Sequence, residues 1–204
     1  MVEREPVAIL LFSGKRKAGK DYVALDLQKR IGEARCAVMR LSGPLKKQYA
    51  VANHLDYEKL LDASEYKEMY RDSMIKWGES KRVKDPGFFC RIATLDDENS
   101  DKPLWIITDA RRKSDVQYFK DNYPTHTYTV RVVASEEVRK TRGWGFVKGI
   151  DDAESECGLD SGVSWDFIIS NDGDNEALAQ CLDRVVKTVD QRVKFFISSD
   201  SEER

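Results

Sequence analysis

Val7-Ala8-Ile9-Leu10-Leu11-Phe12-Ser13-Gly14-Lys15-Arg16-Lys17-Ala18-Gly19-Lys20-Asp21 sets an unbroken apolar run directly before a basic turn spaced by glycines. A run of this kind, Val7 to Phe12, reads as a strand covered on both faces, the habit of a parallel sheet. Gly14, Gly19 and Lys20 then give the spacing Gly-x-x-x-x-Gly-Lys. Between a strand and a helix, that spacing makes a loop whose backbone N–H groups turn inward at phosphate oxygens. The next helix offers its open N–H groups and positive dipole end to the same anion, and Lys20 adds a point charge. The position after the lysine is ordinarily Ser or Thr, whose hydroxyl ligates magnesium. Here it is Asp21, whose carboxylate can serve the same ion directly or through water.

Outward from this loop, residues 21–32 carry Val23, Leu25, Leu27 and Ile31 among charges and stop at Gly32, as a helix does. Further strands are expected at 36–41, 104–109, 128–133 and 167–169, and further helices at 64–83, 86–95, 113–122 and 175–196. Strands alternating with helices imply right-handed crossovers. The expected fold class is therefore α/β: three layers, a five-stranded mostly parallel sheet, helices on both faces and a short lid. One domain spans 1–204, with an acceptor-binding helical region at about 43–95, a lid at about 136–162 and a frayed tail at 198–204.

Composition removes several function classes. The chain of 204 residues balances 34 Lys+Arg against 36 Asp+Glu for a net charge of −2, unlike a general nucleic-acid binder. No apolar run approaches the ~20 residues that span a bilayer, and residues 1–6 are too polar to open a secretory signal. Neither nucleic acid nor membrane is an expected partner. Cys36, Cys90, Cys157 and Cys181 are scattered without a Cys-x-x-Cys pair, which favours reduced thiols in the cytosol. Neither Asp-x-x-Gly nor Asn-Lys-x-Asp occurs, which disfavours a signalling GTPase.

Candidate acceptor residues lie elsewhere. Asp109 ends a strand and is followed by Arg111 and Arg112; at a sheet's carboxyl edge an aspartate can hold magnesium or orient an acceptor, and two arginines can clamp a phosphate. The alternative for Asp109 is a cap on the helix that begins at Lys113. Lys67, Arg71 and Arg82 fall within about 60° of one another on one long helix, and Lys46 and Lys47 follow the second strand. Tyr66, Met69, Tyr70 and Trp77 on the neighbouring face are expected in the core. Arg139 and Arg142, ahead of Gly143-Trp144-Gly145, suit a lid that brings cations over a γ-phosphate and excludes water. Residues 151–156 read as a solvated acidic loop, and Asn171 as a nucleotide contact or a turn former.

Four blocks together resemble the animal-type phosphomevalonate kinases: residues 11–21, Leu41-Ser42-Gly43-Pro44-Leu45-Lys46, Asp85-Pro86-Gly87-Phe88-Phe89-Cys90-Arg91, and Asp151-Asp152-Ala153-Glu154-Ser155-Glu156-Cys157-Gly158-Leu159-Asp160. The similarity runs from about Val7 to the final helix, and Asp21 is a feature of that family. The resemblance implies a monomer with a nucleoside-monophosphate-kinase-like fold. It implies transfer of the γ-phosphoryl group of ATP, with Mg2+, to (R)-5-phosphomevalonate, giving the diphosphate and ADP in isoprenoid and sterol synthesis. Carried over by position, Gly14, Lys15, Arg16, Lys17, Ala18, Gly19, Lys20 and Asp21 bind ATP, with Lys20 and Asp21 serving phosphate and magnesium. Arg16, Lys46, Lys67, Arg71, Arg82, Arg111 and Arg112 hold the acceptor, Arg139 and Arg142 are lid cations, and Asn171 touches the nucleotide. Asp172 and Ala177 stand where that family is more basic. The competing readings are a nucleoside monophosphate kinase, and a nucleotide-binding protein without turnover. The ending Glu202-Glu203-Arg204 is not a peroxisomal tripeptide, so the cytosol is expected over the peroxisome.

Overall fold

In the computed structural model, which describes residues 5–61, 65–95 and 101–202, β1 (Ala8–Ser13) is buried along its whole length. It is flanked by β3 (Leu104–Ile107) and β4 (Thr127–Val133), and β2 (Cys36–Met39) and β5 (Phe167–Ser170) form the edges. The order is β2-β3-β1-β4-β5, with every neighbouring pair parallel. Ile9 stands beside Trp105 on one side and Thr127 on the other.

The two-residue period of β1 builds two cores at once. Ala8, Leu10 and Phe12 pack against Val23, Ala24 and Leu27 of α1 (Lys20–Ile31) and against Leu178, Leu182, Val185 and Val189 of α9 (Asn175–Glu202). Ile9 and Leu11 face the other way, onto Cys90 and Ala93 of α5 (Phe88–Thr94) and Val116 and Phe119 of α6 (Lys113–Asn122). The expected helices are present, although α9 runs on past Phe196. Ser64, the expected start of the long helix, lies outside the described residues; the helix is seen as α4 (Glu65–Lys84).

Two helices of the acceptor region were not foreseen: α2 (Ser42–Asn53), where Ser42-Gly43-Pro44 had read as a turn, and the short α3 (Tyr57–Leu61). With α4 they enclose a separate small core of Tyr49, Ala50, Leu60 and Met74, joined by Tyr66, Tyr70 and Trp77. Met69, expected in the core, is 72% exposed. The remaining short helices are α7 (Glu136–Thr141) and α8 (Glu154–Cys157). No helix among the described residues is long and apolar enough to cross a membrane.

Candidate active site

β1, β3 and β5 all deliver their following loops to the carboxyl edge of the sheet, and the site is built there. The chain leaves β1 through Gly14, where a Cβ would stand 2.4 Å from the Val132 carbonyl oxygen of β4. At Gly19 the backbone is left-handed (φ 85°), and a Cβ would lie 2.2 Å from Asn171 Nδ2. Both positions therefore require glycine. Asn171 is buried and donates through Nδ2 to the Ala18 carbonyl at 2.9 Å. Arg142 donates to the Lys17 and Ala18 carbonyls at 3.3 and 3.2 Å, and to that of Asn171 at 2.7 Å. With the Ala18 carbonyl held outward, the trans peptide aims the Gly19 N–H into the hollow. The helix cap is itself a glycine without a side chain, so the first-turn N–H groups of α1 stay open toward the same space.

Lys20 folds back across this hollow, donating to the carbonyls of Gly14 (2.7 Å) and Lys15 (3.4 Å). Burial first, and then Arg111, push its ammonium down to about 8; Glu156, Asp21 and Asp109 act in the opposite direction. The neighbouring Lys15 ammonium donates to the Glu156 carbonyl at 2.9 Å and pairs with Asp160.

On the acceptor side, Asp115 accepts the backbone N–H groups of Arg111 and Arg112, each at 3.0 Å, and so fixes the turn that carries both guanidiniums. It is Asp115, not Asp109, that caps α6. Asp109 instead accepts from Leu41 N at 2.6 Å and Ser42 N at 3.0 Å, closing the start of α2. Arg112 pairs with Glu79 of α4, and Arg82 lies 3.6 Å from that same carboxylate, over the Phe89 ring at 4.5 Å. A second group forms where α2 meets α4. Burial lowers the Lys46 ammonium, and Lys67, Arg40 and Arg71 lower it further, against Asp109. Lys67 and Arg71 thus gather with Lys46, whereas Arg82 joins Arg112. The expected helix face is shared between two cation groups along its length.

The segment 151–156 corrects a sequence reading. Asp152 and Glu154 are exposed, as a solvated loop would have them, but the Asp151 and Glu156 side chains are only 6% and 3% exposed. Asp151 accepts from Trp144 Nε1 at 2.9 Å and pairs with Arg16 Nε at 3.1 Å, while Arg139 stacks over Trp144 at 4.1 Å. Glu156 accepts from Arg16 N at 2.9 Å and from Arg111. Nothing local in the sequence marks Glu156 as buried, because Arg16 and Arg111 lie far away along the chain.

The family model described as phosphomevalonate kinase matches residues 12–125. A Drosophila melanogaster phosphomevalonate kinase is 41% identical over 182 residues, which cover 87% of this chain and 96% of that one. The chain belongs to the phosphomevalonate kinase family. The solved structure of TT1252 from Thermus thermophilus shares the fold, with a TM-score of 0.51, 16% identity, and coverage of 91% of this chain and 98% of that one. The expected kinase family and α/β fold are both borne out.

For this family member, Lys20 stands within electrostatic reach of Arg111 and Asp109, and Lys46 within that of Lys67, Asp109 and Arg71. Arg40, passed over in the sequence, pairs with Asp21 at 3.1 Å and acts on Lys46, so it stands between loop and acceptor cations. Arg131, also passed over, donates to Ser13 Oγ at 3.0 Å and pairs with Asp160 at 2.6 Å. Arg40 stands just past the end of β2, a signal the sequence offers, whereas Arg131 lies inside β4 and is brought to the site by its register with Ser13, the last residue of β1.

Proposed function

We propose that this kinase transfers the γ-phosphoryl group of ATP to (R)-5-phosphomevalonate, yielding (R)-5-diphosphomevalonate and ADP. The observation that carries the reading is electrostatic. Asp109 acts on Lys20 of the phosphate loop and on Lys46 of the acceptor cluster alike, so both cation groups lie near one carboxylate. Each shows an ammonium lowered by burial and by neighbouring cations, the condition of a site made to receive polyanions.

In this reading the loop from Gly14 to Asp21 cradles the triphosphate, with Arg142, Arg139 and Asn171 backing it. Lys46, Lys67, Arg71 and Arg40 take one anionic end of the acceptor, and Arg82, Arg111 and Arg112 take the other. ATP and acceptor repel each other, and these cations offset that repulsion and hold attacking oxygen and γ-phosphorus in line. The attacking phosphate oxygen is already ionised near pH 7, so no side chain need remove a proton. It forms the new O–P bond as the bond to the leaving ADP breaks. Among the described residues no three His, Cys, Asp or Glu side chains gather as a metal cage. That donor set suits an ion held mainly by phosphates and one carboxylate, and Asp21, 64% exposed in its side chain, is the available oxygen donor. Magnesium arriving with ATP would neutralise charge on the phosphates. Asp109, committed to two N–H groups, then serves by seating the turn before Lys46. The reading takes the protein as a monomer acting in the cytosol, with the lid contributed by about 136–162.

ADP release measured with ATP and each acceptor in turn tests this. Turnover is expected with (R)-5-phosphomevalonate and not with AMP, CMP, UMP or GMP; turnover of a nucleotide alone would make this a nucleoside monophosphate kinase, and none with any acceptor a non-catalytic binder.

A further inference from the structure

We infer that Glu156 is a positioning residue that locks the phosphate loop to Arg111 and so sets the spacing between the two reacting anions. The inference rests on the functional reading above and goes beyond it. Both carboxylate oxygens of Glu156 are used, and on different halves of the site. Oε2 accepts the backbone N–H of Arg16, within the phosphate loop, at 2.9 Å, and Oε1 accepts Nη1 of Arg111, on the acceptor side. Its carbonyl takes the Lys15 ammonium at 2.9 Å, and the preceding carbonyl, of Ser155, takes Arg111 Nη1 at 3.2 Å. No other carboxylate among the described residues bonds both the loop and Arg111.

The post is rigid. Leu159, three residues on, is 2% exposed in the core with Ile9, Leu11 and Phe119. Gly158 is crowded: a Cβ there would meet the Glu154 carbonyl oxygen at 2.7 Å. Asp160 is held by Lys15 and Arg131. Glu156 lies within the proposed lid, and these contacts tie that end of it to the core and to the phosphate loop. The carboxylate holds Arg16 N–H, leaving the rest of the loop for phosphate, and it fixes the direction in which Arg111 points. Glu156 and Arg111 also act with opposite sign on Lys20, which places all three groups around one point. Phosphoryl transfer depends on in-line approach, and a misplacement of about 1 Å costs about 10²-fold. A strut between the two halves therefore acts on alignment more than on affinity.

The test is a double-mutant cycle in steady-state kinetics on the full chain, with Glu156→Gln, Glu156→Asp, Arg111→Ala and Arg111→Ala/Glu156→Gln. Glu156→Gln and Glu156→Asp are each expected to lower kcat about 10- to 100-fold while KM for either substrate moves less than about threefold. In the Arg111→Ala background, Glu156→Gln is expected to cost less than about threefold more. Additive losses, an unchanged kcat, or a rise confined to the KM for ATP would overturn the role. So would loss of folding in both Glu156 variants by circular dichroism, since the carboxylate would then be a structural tie. No turnover of phosphomevalonate by the wild type would overturn the functional reading, and this role with it; turnover by the wild type with additive variants overturns this role alone.

Discussion

The Lys20 ammonium donates to the Gly14 and Lys15 carbonyls of its own loop, and those bonds hold it beside the turn proposed to cradle a triphosphate. Methionine matches its length but carries no charge. Lys20→Met is expected to lower kcat about 10²- to 10³-fold, the scale of losing one transition-state donor. Far-UV circular dichroism should stay unchanged, because the bonds lost are to loop carbonyls rather than to the core. The titration has a sign that can be checked. Below pH 8 the ammonium is charged and ready; as pH rises through about 8 the free site loses that proton, whereas bound phosphate favours keeping it. ATP binding at pH 8 should therefore take up about half a proton. Calorimetric titration in buffers of differing ionisation enthalpy measures this, and the Lys20→Met variant should show none of it.

Capping at the scale of elements explains which helices the sequence disclosed. α1, α4 and α9 announce themselves through apolar periodicity, and β1 through its unbroken run. α2 does not. Its first residues, Ser42-Gly43-Pro44, spell a turn, and Pro44 is tolerated only because the first helical turn has no intrahelical N–H bonds to lose. Its cap comes from Asp109, 67 and 68 residues away, at the end of another strand. The same reason hid Glu156: the residues that bury it are 140 and 45 positions distant. Legibility thus stopped where a partner came from elsewhere in the chain. Because Asp109 joins the end of β3 to the start of α2, Asp109→Ala is expected to cost about 1–2 kcal/mol of stability in urea denaturation. It should also raise KM for phosphomevalonate, by shifting the turn that carries Lys46, with less effect on KM for ATP.

The whole molecule is slightly acidic, yet a subset of its cations gathers around the phosphate loop and the acceptor helices. Lys20 feels Arg111, Lys46 feels Lys67, Arg40 and Arg71, and Arg82 feels Arg112, each as a repulsion that lowers its proton affinity. The folded chain carries that repulsion whenever the crevice holds no anion. In the unfolded chain these groups separate and are screened, so the free crevice destabilises the native state. Any compact polyanion that enters should relieve the strain as well as bind. ATP and phosphomevalonate at about 100 times their dissociation constants should each stabilise the fold by about 2.7 kcal/mol, which for a chain of this size raises Tm by about 5–10 °C at the per-kilocalorie shift expected of 150–250 residues. Inorganic phosphate should raise Tm in the same direction, while sodium chloride at equal ionic strength should do less, since screening reaches exposed charges better than buried ones. Thermal unfolding followed by fluorescence distinguishes the two. Equal shifts from chloride and phosphate would mean that the cations are dispersed over the surface and that the crevice does not act as one polyanion site.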